Sequence, residues 1–133
     1  MNVIVCVDDH MGMMFNKRRQ SRDIKACEDM LALAGGRLVI APYSEKLFCE
    51  LSGYTVSDDP LSAERGEYVF IEDRALLPVV EKIEKMIVYH WNRSYPTDKK
   101  LDTPPTEHGF KLVSTYEFAG KSHDKITREI YSR

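Results

Sequence analysis

Short apolar runs alternate along this chain with stretches of helical periodicity, and this alternation is the feature that most constrains the fold. The runs lie at residues 2–7, 38–41, 67–71 and 86–91. Each is short and almost continuously apolar, which is typical of a strand that is buried on both faces of a sheet. Strands that alternate with helices favour a mainly parallel sheet with helices packed on its faces.

Three of the intervening segments have the pattern of a helix. The first has an apolar stripe at helical spacing, formed by Ile24, Cys27, Leu31 and Ala34. Ser21 or Asp23 can cap its N-terminus, and the Gly35-Gly36 pair predicts its end, because glycine takes the left-handed conformation without strain. Weaker patterns predict helices over 45–51 and about 74–84.

The C-terminal part of the chain has the pattern of a β-hairpin. Residues 110–118 and 125–131 each alternate apolar with polar side chains, and a polar turn joins them. Residues 10–22 and 92–108 predict loops. Since 133 residues suit one domain, we predict a single α/β domain over 1–133, with a mainly parallel sheet and a C-terminal antiparallel hairpin.

Composition argues against several classes of protein. No apolar run approaches the roughly 20 residues of a membrane helix, and the first residues lack the pattern of a signal peptide. The net charge of −2 gives no overall bias towards nucleic acid. Three cysteines, Cys6, Cys27 and Cys49, lie in apolar stretches without paired spacing, so we interpret them as small buried side chains in a cytoplasmic protein.

Several segments together resemble one known family. They are residues 1–8 with the following Gly12, the pair Asn16-Lys17, the stretch Ile71–His90, and the hairpin Phe110–Tyr131. In this order they resemble dihydrofolate reductase, with a shortened middle, as in a divergent bacterial member. The resemblance implies that family's α/β fold, with a mobile active-site loop after the first strand and a cleft for NADPH.

Two departures from the family concern its cofactor. Where the family has a Gly-Gly pair against the cofactor pyrophosphate, this chain has Glu72 and Asp73, and each such carboxylate repels a phosphate charge by roughly 1–4 kcal/mol. Where the family has Gly-Arg-x-Thr, this chain reads Ala41-Pro42-Tyr43-Ser44, and Ser44 alone imitates the threonine as a weak cofactor contact. We therefore predict that the chain uses no cofactor, NADPH included.

A third departure concerns the acid that donates a proton in the family. Ungapped alignment places Lys25 at that position, and Asp23 lies two residues earlier. Asp23 is therefore a weak candidate catalytic residue, and it is equally suited to cap the helix. This leaves NADPH-dependent reduction as an alternative function.

The most specific polar feature is the basic segment that contains Lys17, Arg18, Arg19 and Arg22. In an open α/β fold it would border the cleft at the carboxyl ends of the strands, where ligands bind. Arginine there can grip a phosphate or carboxylate with two hydrogen bonds. The segment predicts an anionic small-molecule ligand, and the alternative is a solvated loop.

Acidic and aromatic residues also follow the predicted strands. Glu72 and Asp73 should lie near Asp8, Asp9 and His10, in a charge network with the arginines or, alternatively, around a divalent cation. We favour the network and assign no metal site.

Trp91 is followed closely by Arg93, and an aromatic ring beside an arginine can stack on a flat ligand. The alternative is an ordinary strand residue. His123 falls in the hairpin turn, where we expect it to be exposed.

The sequence is compatible with three functions. The first is a non-catalytic binding module for an anionic small ligand, with Lys17, Arg18, Arg19, Arg22, Glu72, Asp73 and Trp91 as ligand-binding candidates. The second is the reductase. The third is an RNA-associated protein, which the net charge disfavours; a zinc enzyme of the ribonuclease Z type is also disfavoured, because the four histidines are isolated and no HxHxDH motif occurs.

Overall fold

The computed structural model describes residues 1–133 and contains two β-sheets and two α-helices. The strands are β1 (Asn2–Val7), β2 (Gly12–Phe15), β3 (Arg18–Arg19), β4 (Leu38–Ile40), β5 (Tyr54–Val56), β6 (Tyr68–Phe70), β7 (Lys85–His90), β8 (Lys99–Lys100), β9 (Lys111–Phe118) and β10 (Ile126–Ser132). The helices are α1 (Ile24–Leu33) and α2 (Glu45–Phe48).

The main sheet has seven strands in the order β5-β4-β6-β1-β7-β10-β9. The first five run parallel, whereas β10 is antiparallel to both β7 and β9. Strand β1 is central because its apolar residues can be buried on both faces, and Val3, Ile4 and Val5 have no exposed surface. This confirms the predicted α/β fold with a C-terminal antiparallel hairpin.

A second sheet of order β3-β2-β8 forms within segments that were predicted to be loops. Strands β2 and β3 are a tight hairpin whose turn residues, Asn16 and Lys17, have φ angles of 52° and 62°. Two left-handed residues give the turn type that matches strand twist, and asparagine tolerates that conformation well. Met13 and Met14 anchor the hairpin by packing into the core, so long-range burial stabilises a strand that local sequence does not reveal.

The first predicted helix is confirmed, and the third is wrong. Helix α1 begins after Asp23, whose carboxylate accepts from the Lys25 backbone N–H, and it ends before Gly35 and Gly36, which have positive φ angles. The segment predicted as a helix over 74–84 is instead a 3₁₀ helix, Leu77–Lys82. Pro78 lacks a backbone donor, and the β-branched pair after it disfavours the α-helical form. No helix in the structure is both long and apolar enough to cross a bilayer.

The core has two layers, one on each face of the main sheet. Val3, Val5 and Val88 point into one layer, and Ile4 and Ile87 point into the other, beneath α1. This alternation fixes the register of the sheet. It also places the carboxyl ends of β1, β6 and β7 beside the start of α1, where a cleft opens.

The cysteines differ from one another in burial. Cys27 is buried in the core layer beneath α1, and Cys6 is half-buried. Cys49 is exposed after α2, which corrects the expectation that all three are buried. That helix is a single turn, so the apolar stripe predicted over 45–51 does not extend to Cys49.

Candidate functional site

A pocket lies between the start of α1, the ends of β6 and β7, and the small sheet. Its floor is apolar and includes Met13, Cys27, Met30, Phe70 and Trp91. Its polar rim is formed by Arg19, Gln20, Ser21, Arg22, Asp23 and Glu72. The pocket therefore occupies the position where open α/β sheets bind ligands.

Glu72 is buried in the pocket wall, and both of its carboxylate oxygens accept hydrogen bonds. The Arg19 Nε and Nη2 atoms donate to its two carboxylate oxygens at 2.8 and 3.0 Å, and the Ser44 hydroxyl donates to it at 2.7 Å. The Arg19 guanidinium also lies 4.5 Å from the centre of the Tyr43 ring. The hydrogen bond from Arg19 to Glu72 raises the pKa of the guanidinium, so Arg19 stays charged at any ordinary pH.

Asp8 does not join this ion pair. Its carboxylate accepts from the backbone N–H groups of His10, Gly12 and Tyr95 at 2.9, 2.7 and 3.1 Å. Burial by itself would raise the pKa of Asp8, but these backbone hydrogen bonds outweigh it and hold the pKa below its usual value. Asp8 therefore organises the turn after β1, and the predicted charge network is realised at Glu72 but not at Asp8.

Asp23 has a more elaborate environment than a helix cap requires. One carboxylate oxygen accepts from the backbone N–H groups of Lys25 and Lys121 at 2.9 and 3.0 Å. The other accepts from the Ser122 backbone at 2.9 Å and lies 2.9 Å from His123 Nδ1. Burial would raise the pKa of Asp23, yet the hydrogen bonds from Lys121, His123 and Ser122 prevail and hold it far below its ordinary value.

His123 is buried, which corrects the expectation of an exposed turn residue. Only 3% of its surface is accessible, and its ring stacks on Trp91 with centroids 4.6 Å apart. Its Nε2 atom lies 2.9 Å from the Ser21 hydroxyl and 3.2 Å from that of Tyr95. The hairpin turn lies against the start of α1, about one hundred residues earlier in the chain. The contact is made because the backbone N–H groups of Lys121 and Ser122 donate to the Asp23 carboxylate.

The basic segment does not act as one group. Arg19 is held by Glu72, and Arg22 is exposed at the pocket rim. Arg18 is exposed on β3, and Lys17 lines a neighbouring hollow that also contains Tyr43, Asp73 and Lys99. The segment therefore brings Arg19 and Arg22 together at the pocket and separates them from Lys17 and Arg18.

The remaining candidates are placed as follows. Trp91 is buried but contributes to the pocket floor. Asp73 is half-exposed, with a carboxylate oxygen 3.8 Å from Arg74 Nε, and its carbonyl accepts from Lys99 Nζ at 2.6 Å. The acids at the two strand ends do not form a cluster of three metal-ligating side chains.

The cluster of Ser21, Tyr95 and His123 was missed as a site by sequence reasoning. Ser21 was considered only as a helix cap, Tyr95 was not considered, and His123 was placed in solvent. The spacing of a serine two residues before an aspartate carries no signal. The partner histidine is distant along the chain, so only tertiary structure brings the group together.

No protein-family model matches this chain, and no curated protein sequence matches it. The fold and its cleft define an α/β protein with the dihydrofolate reductase-like fold. Among solved structures with that fold, the chain is similar to dihydrofolate reductase from Enterococcus faecalis complexed with NADP(H) and RAB-propyl, with a TM-score of 0.64 and 10% identity. The match covers 99% of this chain and 95% of that one, so the likeness extends over the whole domain.

The prediction that the chain uses no cofactor is contradicted by this match, because a structure with the same fold holds NADP(H). That prediction treated Glu72 and Asp73 as two free carboxylates facing a pyrophosphate. In the structure Glu72 is paired with Arg19, and Asp73 lies beside Arg74. The predicted repulsion is therefore compensated within the chain at Glu72, whereas the 3.8 Å contact of the partly exposed Asp73 with Arg74 is weak.

Proposed function

We propose that the pocket binds an anionic small molecule that has a flat apolar part. The observation that carries this proposal is the position of Arg22 at the rim, next to a floor formed by Phe70 and Trp91 among other apolar side chains. Arg22 makes no ion pair within the chain, so its guanidinium is available to a carboxylate or phosphate. The cavity above this floor is only about 20 Å³, so a planar group would have to widen it to bury an apolar face.

Arg19 has a different role in this proposal. Its guanidinium already donates to Glu72 and to the Tyr43 carbonyl, at 2.8 to 3.0 Å. It therefore shapes the pocket wall and neutralises Glu72 there. Without that neutralisation, Glu72 would repel an anionic ligand.

A second candidate is an NADPH-dependent reductase, which is favoured by the fold shared with a protein that holds NADP(H). In the hollow beside the small sheet, Lys17 and Lys99 would hold phosphate groups, and Asp73 and Asp98 line the same hollow. When bound, the nicotinamide would supply a hydride. We rank this candidate second because the pKa of Asp23 is held low by its hydrogen bonds, so Asp23 carries no proton to donate at neutral pH.

The test is a titration followed by thermal unfolding and by the fluorescence of Trp91, the single tryptophan of the chain. NADPH, dihydrofolate, small aromatic carboxylates and phosphates are each added up to millimolar concentration. A ligand with a micromolar Kd raises the free energy of unfolding by about 4 kcal/mol at a thousandfold excess. Arg22→Gln should weaken binding at least about tenfold, the usual effect of losing a charged hydrogen bond.

The matched control is Arg37→Gln, since Arg37 is exposed and lies after α1, outside the pocket. The proposal fails if no compound gives a saturable shift, or if both variants bind equally well. A fall in NADPH absorbance on addition of dihydrofolate would favour the reductase over the binding module. A steep salt dependence of RNA binding would instead support the RNA-associated alternative.

A further inference from the structure

Three side chains at and behind the pocket wall form a continuous chain of hydrogen bonds. Ser21 Oγ lies 2.9 Å from His123 Nε2, and His123 Nδ1 lies 2.9 Å from Asp23 Oδ2. Ser21 is half-buried and lines the pocket together with the buried Asp23, whereas the buried His123 does not line it. This is the order of contacts by which serine hydrolases activate a hydroxyl group, and it recurs on unrelated folds.

The hydrogen bonds fix the orientation of the imidazole. Asp23 is an acceptor because its carboxylate is ionised, so His123 Nδ1 donates to it, and in the neutral imidazole the Nε2 lone pair faces Ser21. The stacked ring of Trp91, tilted by 21°, holds the imidazole plane. The tautomer and orientation are those required of a general base that takes the serine proton.

A purely structural role accounts for only half of this arrangement. The bonds from Lys121 and Ser122 to Asp23 attach the hairpin turn to α1, and His123 Nδ1 adds to them. None of these bonds requires a hydroxyl group on the opposite nitrogen. Yet Ser21 is there, and Tyr95 donates to Ser21 Oγ at 3.3 Å.

The two cysteines that line the pocket do not compete as nucleophiles, and burial raises the pKa of the Cys6 thiol well above its usual value. Burial, followed by the charge of Glu72, raises the pKa of the Cys27 thiol to about 12, so it stays protonated. Around Ser21, the backbone N–H groups of Ser21 and Arg22 donate to no group of the chain. Two free amides beside a nucleophile are donors of the kind that stabilise an oxyanion.

We propose that Ser21 is the nucleophile of an esterase site, with His123 as general base and Asp23 as the residue that positions His123. Ser21 Oγ attacks the ester carbonyl carbon while its proton moves to His123 Nε2. The C–O bond to the alcohol then breaks, and the leaving oxygen takes that proton. Water then attacks the acyl carbon and gives a proton to His123, which passes it to Ser21 Oγ as the acyl C–O bond breaks, so one ester and one water give one acid and one alcohol.

The substrate class rests on the ligand proposed above, because Arg22 at the rim selects for a carboxylate or phosphate on the substrate. The relay itself does not depend on that ligand. A neutral reagent therefore tests the relay separately. Saturable binding without reaction at Ser21 would overturn the relay and leave the ligand proposal standing, and reaction without ligand binding would do the reverse.

The first experiment treats the full chain with diisopropyl fluorophosphate and locates the adduct by mass spectrometry. Ser21 should gain one diisopropylphosphoryl group, with loss of fluoride. The Ser21→Ala variant should show none, and Ser114→Ala, an exposed change on β9, should react like the unchanged protein. Hydrolysis of p-nitrophenyl acetate should fall on the order of 10³-fold in Ser21→Ala and remain unchanged in Ser114→Ala.

A second variant tests the role of His123 as a base without removing this buried residue. In Ser21→Cys, the new thiol should react with iodoacetamide at least about tenfold faster than the exposed Cys49, because an adjacent base promotes the thiolate. Peptide mapping distinguishes the two thiols. Slower alkylation than Cys49, together with no phosphorylation of Ser21 in the unchanged protein, would show that the three residues serve structure alone.

Discussion

The ion pair between Arg19 and Glu72 shows that one residue can neutralise the charge of another that looks unfavourable in the sequence. In the sequence, Glu72 is an acid where a phosphate-binding fold prefers glycine. In the structure its carboxylate receives two bonds from Arg19 and one from Ser44. Its charge therefore stabilises the pocket wall, and removing either partner would leave a largely buried charge without compensation.

Glu72→Gln should lower the free energy of unfolding by about 2 kcal/mol, since it removes charged hydrogen bonds and leaves the Arg19 side chain unpaired with only 19% exposure. Urea unfolding measures the effect. Glu117→Gln is the control: it removes an exposed pair with Lys125 and should cost under about 0.5 kcal/mol. Equal costs in both variants would contradict the structural role of the buried pair.

The lowered pKa of Asp23 predicts how the stability of the fold changes in acid. Its folded-state pKa lies below the ordinary value of 3.8, so its contribution to stability is full above about pH 5 and is lost as pH falls through the folded pKa. Asp8, whose pKa is also lowered, acts in the same direction. We expect stability to fall steeply below about pH 4.

Asp23→Asn provides the comparison for this response. The variant should be less stable at neutral pH and should show a shallower decline in acid, because it has one fewer carboxylate to protonate. Urea midpoints between pH 3 and pH 7 measure both slopes. A decline as steep as that of the unchanged protein would mean that Asp23 does not cause the acid sensitivity.

At the scale of elements, the turn between β9 and β10 is the connection that completes the site. Gly120 lies in this turn against the start of α1, and an added Cβ would lie 2.5 Å from Asp23 Oδ2 and 3.0 Å from the His123 carbonyl oxygen. The second contact is with backbone, which cannot yield cheaply. The turn and α1 are therefore in contact only because this position lacks a side chain.

Gly120→Ala should lower the free energy of unfolding by about 1–3 kcal/mol through this overpacking. It should also quench or shift Trp91 fluorescence, because the ring stacked on Trp91 belongs to the same turn. Thermal unfolding and an emission spectrum are the measurements. The neighbouring exposed change Ala119→Ser is the control, and an equal effect there would show that the close packing of Gly120 is not the cause.

At the scale of the whole molecule, the order of the strands predicts the distribution of local stability. Strand β1 lies between β6 and β7 and is buried on both faces, whereas β9 is an edge strand with exposed Leu112, Val113 and Tyr116. Amide hydrogens of Val3, Ile4 and Val5 should therefore exchange at a rate close to that of global unfolding.

Hydrogen exchange followed by mass spectrometry measures this distribution. The outward-facing amides of β9 should exchange orders of magnitude faster than those of β1, since no strand pairs with that edge. The β10 strand, which is paired on both sides, is the internal comparison. Protection of β9 as strong as that of β10 would mean that another chain covers the edge in solution.

Local patterns predicted the parallel sheet, the C-terminal hairpin, and α1 with its glycine end, and they left the cap of α1 open between Ser21 and Asp23. These features follow from local periodicity, because burial on one or both faces imposes a repeat that is visible in neighbouring residues. The small sheet was not visible, since β3 and β8 have two residues each and depend on distant partners. The third predicted helix is a 3₁₀ helix in the structure, because proline and β-branched residues outweighed an apolar stripe.

The site divides in the same way. Arg22, Glu72 and Trp91 could be singled out in the sequence as unusual residues at strand ends and in a basic segment. Only the three-dimensional structure shows that Arg19 neutralises Glu72. The hydrogen-bonded chain of Ser21, Asp23 and His123 is likewise visible only in the folded structure. Periodicity reports which side chains are buried, but hydrogen bonds between residues a hundred positions apart depend on the path of the whole chain.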